Sequence, residues 1–142
     1  MTIQVHYIPT DQTRAWWPKM GYYVNRAARR YHKDYDLDDM REAIFAGDTA
    51  LFGVFENLNP IAAIVATEVC YPKRKVLLIE LVGGDNMKDW FDNALLSLTE
   101  YAISAGYGAI QAQGRMGWRD YAKRAKFEPV FVGYERDLEA NV

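Results

Sequence analysis

LLIELVGGDNMKDWFD, residues 77–92, is the stretch that decides the fold. Val76 to Val82 is an almost unbroken apolar run of strand length, and Gly83-Gly84 leads the chain out of it. Met87, Trp90, Phe91, Ala94, Leu95, Leu98, Tyr101, Ala102 and Ala105 then recur at helical spacing. The pattern predicts a strand followed by a long amphipathic helix, capped by Asp85 or Asn86 and ended by Gly106. A strand that feeds straight into a helix N-terminus can hold an anion on backbone N–H groups. The first turn here, however, reads Met87, Lys88, Asp89, Trp90, Phe91, Asp92, with no glycine to let phosphate oxygens approach the backbone. Gly83-Gly84 offers an alternative bend, although paired glycines are also a common way out of a strand.

Working outward, Ala50 to Phe55 and Ile61 to Tyr71 read as two strands joined by a turn at Glu56 to Pro60, and Pro72 to Lys75 turns the chain into the decisive strand. The apolar character of the last two strands places them in a sheet interior covered on both faces. Ile3 to Ile8 alternates as a first strand closed by Pro9. A helix capped by Thr10 or Asp11 follows, with Trp17, Met20, Val24, Ala27, Ala28 and Tyr31 on one face and a kink or restart expected at Pro18. Arg26, Arg29, Arg30, His32 and Lys33 form its solvated basic end, where positive charge complements the helix dipole. Asp36, Asp38 and Asp39 open a second helix that Gly47 stops. Acids in a first turn are what a helix start prefers, so they are not a metal site. Gly108 to Gln113 is a short strand, Gly114 to Gly117 a turn, Trp118 to Ala125 a short basic helix, and Val130 to Arg136 a closing strand. The order β-α-α-β-β-β-α-β-α-β gives an α/β fold: a central mixed sheet flanked by helices on both faces, in a single domain spanning residues 1–142.

Composition narrows the function classes. The 142 residues are 50% apolar and 25% charged with a net charge of −2, which leaves no global field to attract nucleic acid or an anionic membrane. No run approaches the roughly 20 apolar residues of a membrane span. The start MTIQVHYIP lacks the basic and apolar regions of a signal peptide, so a protein that is not secreted is expected. Two histidines and one cysteine make a metal site improbable, and Cys70, inside an apolar run, reads as a buried, inert thiol. Arg115, Arg119 and Lys123 recur every four residues beside Trp118. They form either a docking surface for an acidic protein or a phosphate, with Trp118 as its anchor, or a solvated helix face over a tryptophan that plugs the core.

FDNALLSLTEYAISAGYGAIQAQ followed by RDYAKRAKFEP resembles the GNAT superfamily of N-acetyltransferases, whose long helix has a central Leu-Leu and whose last helix normally closes in Gly-Phe, here Lys126-Phe127. Trp17-Pro18, Thr67, Gly83-Gly84, Trp90 and the turn GRMGW (Gly114 to Trp118) resemble, more narrowly, small GNAT-like proteins encoded by tailed bacteriophages. The resemblance implies an acetyl-CoA site in which Leu81, Val82, Gly83, Gly84 and Lys88 meet the cofactor. It also implies a base at Glu80, on the fourth strand, and a displaced acid at Tyr121, since Ala122 stands where the family has its tyrosine. Glu80 reads equally as a surface carboxylate or a partner for an arginine.

The missing glycines, together with Asp89 and Asp92, which would repel a phosphate, make a non-catalytic reading the first one. On it the chain is a phage accessory or virion-associated protein, found in the host cytoplasm or the virion, that uses the scaffold to contact a phage structural or host protein. The alternative is an acetyl-CoA-dependent N-acetyltransferase acting on an amine. An enzyme requires an open fork between the fourth and fifth strands; a binding module would have it filled by Trp90 or Phe91.

Overall fold

The computed structural model describes residues 2–29, 34–114 and 118–139. Its elements in chain order are β1 (Ile3–Ile8), a 3₁₀ turn (Thr10–Gln12), α1 (Thr13–Ala28), α2 (Leu37–Ala46), β2 (Ala50–Glu56), β3 (Asn59–Cys70), β4 (Lys75–Gly84), α3 (Met87–Ser104), β5 (Ala109–Ala112) and α4 (Arg119–Arg124). The sheet runs β1-β2-β3-β4-β5, antiparallel as far as β4 and parallel between β4 and β5. Parallel neighbours need a crossover, and α3 supplies it.

Both faces of the sheet are covered. Met20, Val24 and Ala27 of α1 and Met40 and Ile44 of α2 pack on Leu51, Val65 and Leu81. Trp90, Ala94, Leu98 and Ala102 of α3 pack on the opposite side against Val54, Ile64 and Leu77. That double cover is why β3 and β4 carry continuous apolar runs rather than alternation.

Local signals set most boundaries. Asp36 accepts from the Asp39 amide at 2.9 Å while Asp39 accepts from the Asp36 amide at 3.0 Å, a reciprocal capping box that starts α2. Gly47, at φ 81°, ends it. α1 passes through Pro18 without a restart; the intrahelical bond that proline removes would have gone to the carbonyl of exposed Arg14, which water can satisfy. α1 ends at Ala28, and Tyr31, with Arg30, His32 and Lys33, lies outside the described residues.

The β2–β3 turn is tighter than its sequence suggests. Glu56 pairs with Asn59, leaving only Asn57 (φ 50°) and Leu58 (φ 76°) between the strands, the signature of a type I′ hairpin. Leu58 is 87% exposed and gains no burial for its left-handed backbone. Leu58→Gly is therefore expected to stabilise the fold by about 1 kcal/mol, raising Tm by about 3 °C. A calorimetric scan showing an unchanged or lower Tm would count against this account of the turn.

Three further expectations fail. Val130 to Arg136 forms no strand: the sheet stops at β5, and Val130, Phe131, Val132 and Tyr134 are all exposed, the last at 93%. A β-like composition supplies propensity, but a strand exists only where a partner completes its ladder. Cys70 is exposed rather than buried, because the buried part of β3 ends at Ala66 and the strand runs on beyond the covering helices. Neither Asp85 nor Asn86 caps α3 through its side chain; Asn86 adopts a left-handed conformation (φ 52°), and the Asp85 carboxylate turns to Arg26 instead.

Candidate active site

β4 and β5 part company halfway along β4. They pair from Val76 opposite Ala109 to Ile79 opposite Ala112, and a bond from the Gln113 amide to the Ile79 carbonyl (3.1 Å) closes the ladder. From Glu80 to Gly84, β4 continues on β3 alone. The cause is visible in the β3–β4 register. Ile79 stands opposite Ala66 and Leu81 opposite Val65, so Glu80 is the extra residue of a β-bulge. A bulge bends its strand and re-aims its side chains. Here Ile79 is buried on the α3 side of the sheet, whereas Leu81, two residues on, is buried on the α1 side.

The fork so formed is a cleft of about 400 Å³. Glu80, Leu81 and Val82 line one wall, and Ala112, Gln113 and Gly114 the other. Glu80 lies where the strands separate, and among the described residues its carboxylate has no hydrogen-bond or ion-pair partner. Phe91, Trp118 and Tyr121 pack against one another in tilted and edge-to-face contacts along the cleft, with ring centroids 5.6–6.0 Å apart. This cluster ties α4 to α3, and the Arg124 guanidinium lies 5.0 Å from the Tyr121 ring centroid. Trp118 also packs over Gly114, where an added Cβ would come within 2.9 Å of its ring.

Trp90 does not fill the fork. It is 3% exposed, packed beneath the sheet, and its indole N–H donates to the Asp85 carbonyl at 2.7 Å. Gly83 and Gly84 line the cleft, but their lack of a side chain serves packing. A Cβ on Gly83 would lie 2.0 Å from the Tyr23 carbonyl oxygen, so α1 crosses β4 at a distance only glycine permits. A Cβ on Gly84 would meet that of Ala62 at 2.6 Å and the Trp90 ring at 3.0 Å. Lys88, Asp89 and Asp92 are exposed on the first turns of α3, outside the cleft lining. Arg119 lines the cleft from the start of α4, Lys123 is exposed beyond it, and Arg115 lies outside the described residues.

Arg26 is the lining residue that the motif reading missed. It reaches from α1 to pair with the Asp85 carboxylate, with its guanidinium 5.7 Å from the Tyr22 ring centroid. Its membership of a basic helix end was visible in the sequence, but the Asp85 partner 59 residues away was not.

A second carboxylate, Glu68 of β3, stands opposite Leu77 near the other end of β4. The Tyr107 hydroxyl donates to it at 3.0 Å and Lys75 Nζ lies 3.4 Å away. The Tyr107 hydrogen bond, helped by Lys75, holds the Glu68 carboxyl below its usual range. Burial, reinforced by Glu68, pushes the Tyr107 phenol upward. Glu68 is thus held ionised by partners and lies outside the fork lining.

No protein-family model matches the sequence, and no curated protein matches it. Solved structures do. A ribosomal-protein-alanine N-acetyltransferase from Brucella melitensis superposes with a TM-score of 0.68 at 9% identity, over 96% of this chain and 100% of that one. A GNAT family acetyltransferase from Staphylococcus aureus gives 0.63 at 11% identity, over 97% and 100%. The chain has the GNAT fold. An aminoglycoside N-acetyltransferase solved in complex with CoA shares that GNAT fold, with a TM-score of 0.65 at 13% identity over 96% and 95% of the two chains. Residues 87–92, which contain no glycine, form the start of α3.

Proposed function

We propose that the chain binds a CoA thioester in the β4–β5 fork and passes its acyl group to an amine. The observation that carries this reading is the open fork with the Glu80 carboxylate, unpartnered among the described residues, at its apex. The apolar walls supplied by Leu81, Val82, Met87, Phe91 and Ala112 suit an extended pantetheine arm. A bound thioester supplies an activated acyl carbonyl and a thiolate leaving group. Glu80 takes a proton from the acceptor ammonium, so that the free amine forms the new C–N bond as the C–S bond breaks. Tyr121, on the α4 wall of the same cleft, gives its proton to the departing sulfur, and the proton shed by the new amide nitrogen restores the phenol.

A second reading rests on a different observation. The α3 start, with exposed Asp89 and Asp92 and no glycine, is poorly built for a diphosphate. On that ground the fold would serve as a scaffold for protein contacts, with Trp118, Arg119 and Lys123 at the contact. Calorimetric titration with acetyl-CoA separates the two. The enzyme reading expects saturable heat at micromolar ligand. No heat, together with no thermal shift at millimolar ligand, would eliminate it in favour of the scaffold.

A further inference from the structure

Accepting the fork as a CoA site, we infer that Arg26 holds a phosphate group of CoA by exchanging its Asp85 partner for it. Arg26 lines the cleft beside Gly83, Gly84 and Met87, at the end of β4 where the chain turns into α3. The first turn of α3 carries no glycine, and Gly83 and Gly84 are taken up by packing against Tyr23, Ala62 and Trp90, so a side-chain cation supplies the contact. Lys88 lies outside the lining, which leaves Arg26 and, on α4, Arg119 as the lining cations among the described residues.

The present partner of Arg26 is well suited to being displaced. The Asp85 side chain is 61% exposed, and an ion pair that open to water is weak. The Asp85 backbone is fixed independently, through its carbonyl, by the Trp90 indole at 2.7 Å. The carboxylate can therefore swing into water without disturbing the turn. Arg26 keeps its place as this happens, because the Tyr22 ring flanks its guanidinium. A phosphate offers Arg26 two oxygens and a higher charge than the carboxylate it replaces. Asp85 occupies the guanidinium in this structure and yields it to the phosphate.

The test is titration of the full chain and its Arg26→Gln and Asp85→Asn variants with CoA, dephospho-CoA and pantetheine. Arg26→Gln is expected to weaken CoA about 10- to 100-fold, the scale of a lost charged hydrogen bond, and to leave pantetheine binding unchanged. That unchanged pantetheine affinity also shows the variant to be folded. Asp85→Asn is expected to tighten CoA about two- to fivefold by removing a competitor of surface-ion-pair strength. An equal loss with CoA and dephospho-CoA assigns Arg26 to the diphosphate; a loss confined to CoA assigns it to the 3′-phosphate. Unchanged CoA affinity in Arg26→Gln, or a parallel loss of pantetheine, overturns the inference while the cleft assignment stands. Failure of the unmodified chain to bind either CoA or pantetheine overturns both.

Discussion

Glu80→Gln is expected to lower kcat for acyl transfer about 10²- to 10⁴-fold, the usual contribution of a positioned general base. The KM for acetyl-CoA should stay where it is. Glutamine keeps the size of the side chain and its place on the bulge but cannot accept a proton, so the loss belongs to the chemical step rather than to binding. The bulge makes the prediction sharp. Glu80 is the residue without a β3 partner, at the point where β4 leaves β5, so its backbone is positioned by the register shift whatever its side chain does. Steady-state kinetics with an amine acceptor read both parameters. A Glu80→Gln enzyme that retains full kcat would show that the acceptor reaches the thioester already deprotonated, and the carboxylate would lose its role.

The second large effect is structural. Gly83→Ala should destabilise the protein by about 3 kcal/mol, since the new methyl has to displace backbone rather than a flexible side chain. The contact at 2.0 Å is with the Tyr23 carbonyl oxygen, inside α1, and helix and strand cannot both stay where they are. For a chain of this length that corresponds to a fall in Tm of about 10 °C. Gly133→Ala is the matched control, because a Cβ there meets nothing within 4 Å. Equal melting of the two variants would mean that α1 stands further from β4 than described.

Much of the fold was legible because its signals are local. Asp36 and Asp39 cap a helix through one another, Gly47 terminates it, and the apolar runs of β3 and β4 announce a doubly covered sheet. Features that depend on pairing at a distance were not legible. The bulge at Glu80 exists only in the register between β3 and β4, and nothing in the order LLIELV marks which residue is the extra one. Gly83 read as a strand exit because the helix that needs its missing side chain lies some 60 positions away in sequence. Residues 130–136 carry the composition of a strand and lack a neighbour to pair with. Cys70 shows the same limit from the other direction: an apolar run predicts burial only as far as the covering helices extend. The site was half visible. Glu80 and Tyr121, singled out by type and position, both line the cleft, whereas Arg26 needed the α1–β4 crossing to bring it beside Asp85.

The short ladder between β4 and β5 has a consequence for how this molecule comes apart. β1 to β4 are joined by long antiparallel pairings and sandwiched between helices, whereas among the described residues β5 and α4 are attached chiefly by four residue pairs, the Gln113–Ile79 bond and one aromatic cluster. Stability is then unevenly shared, with a firm body and a lightly fastened flap that open on different free-energy scales. The fork is the seam between them. A ligand lodged there touches both pieces at once, so part of its binding energy appears as added stability of the flap. Occupancy of the site and integrity of β5 and α4 are, in that sense, one equilibrium.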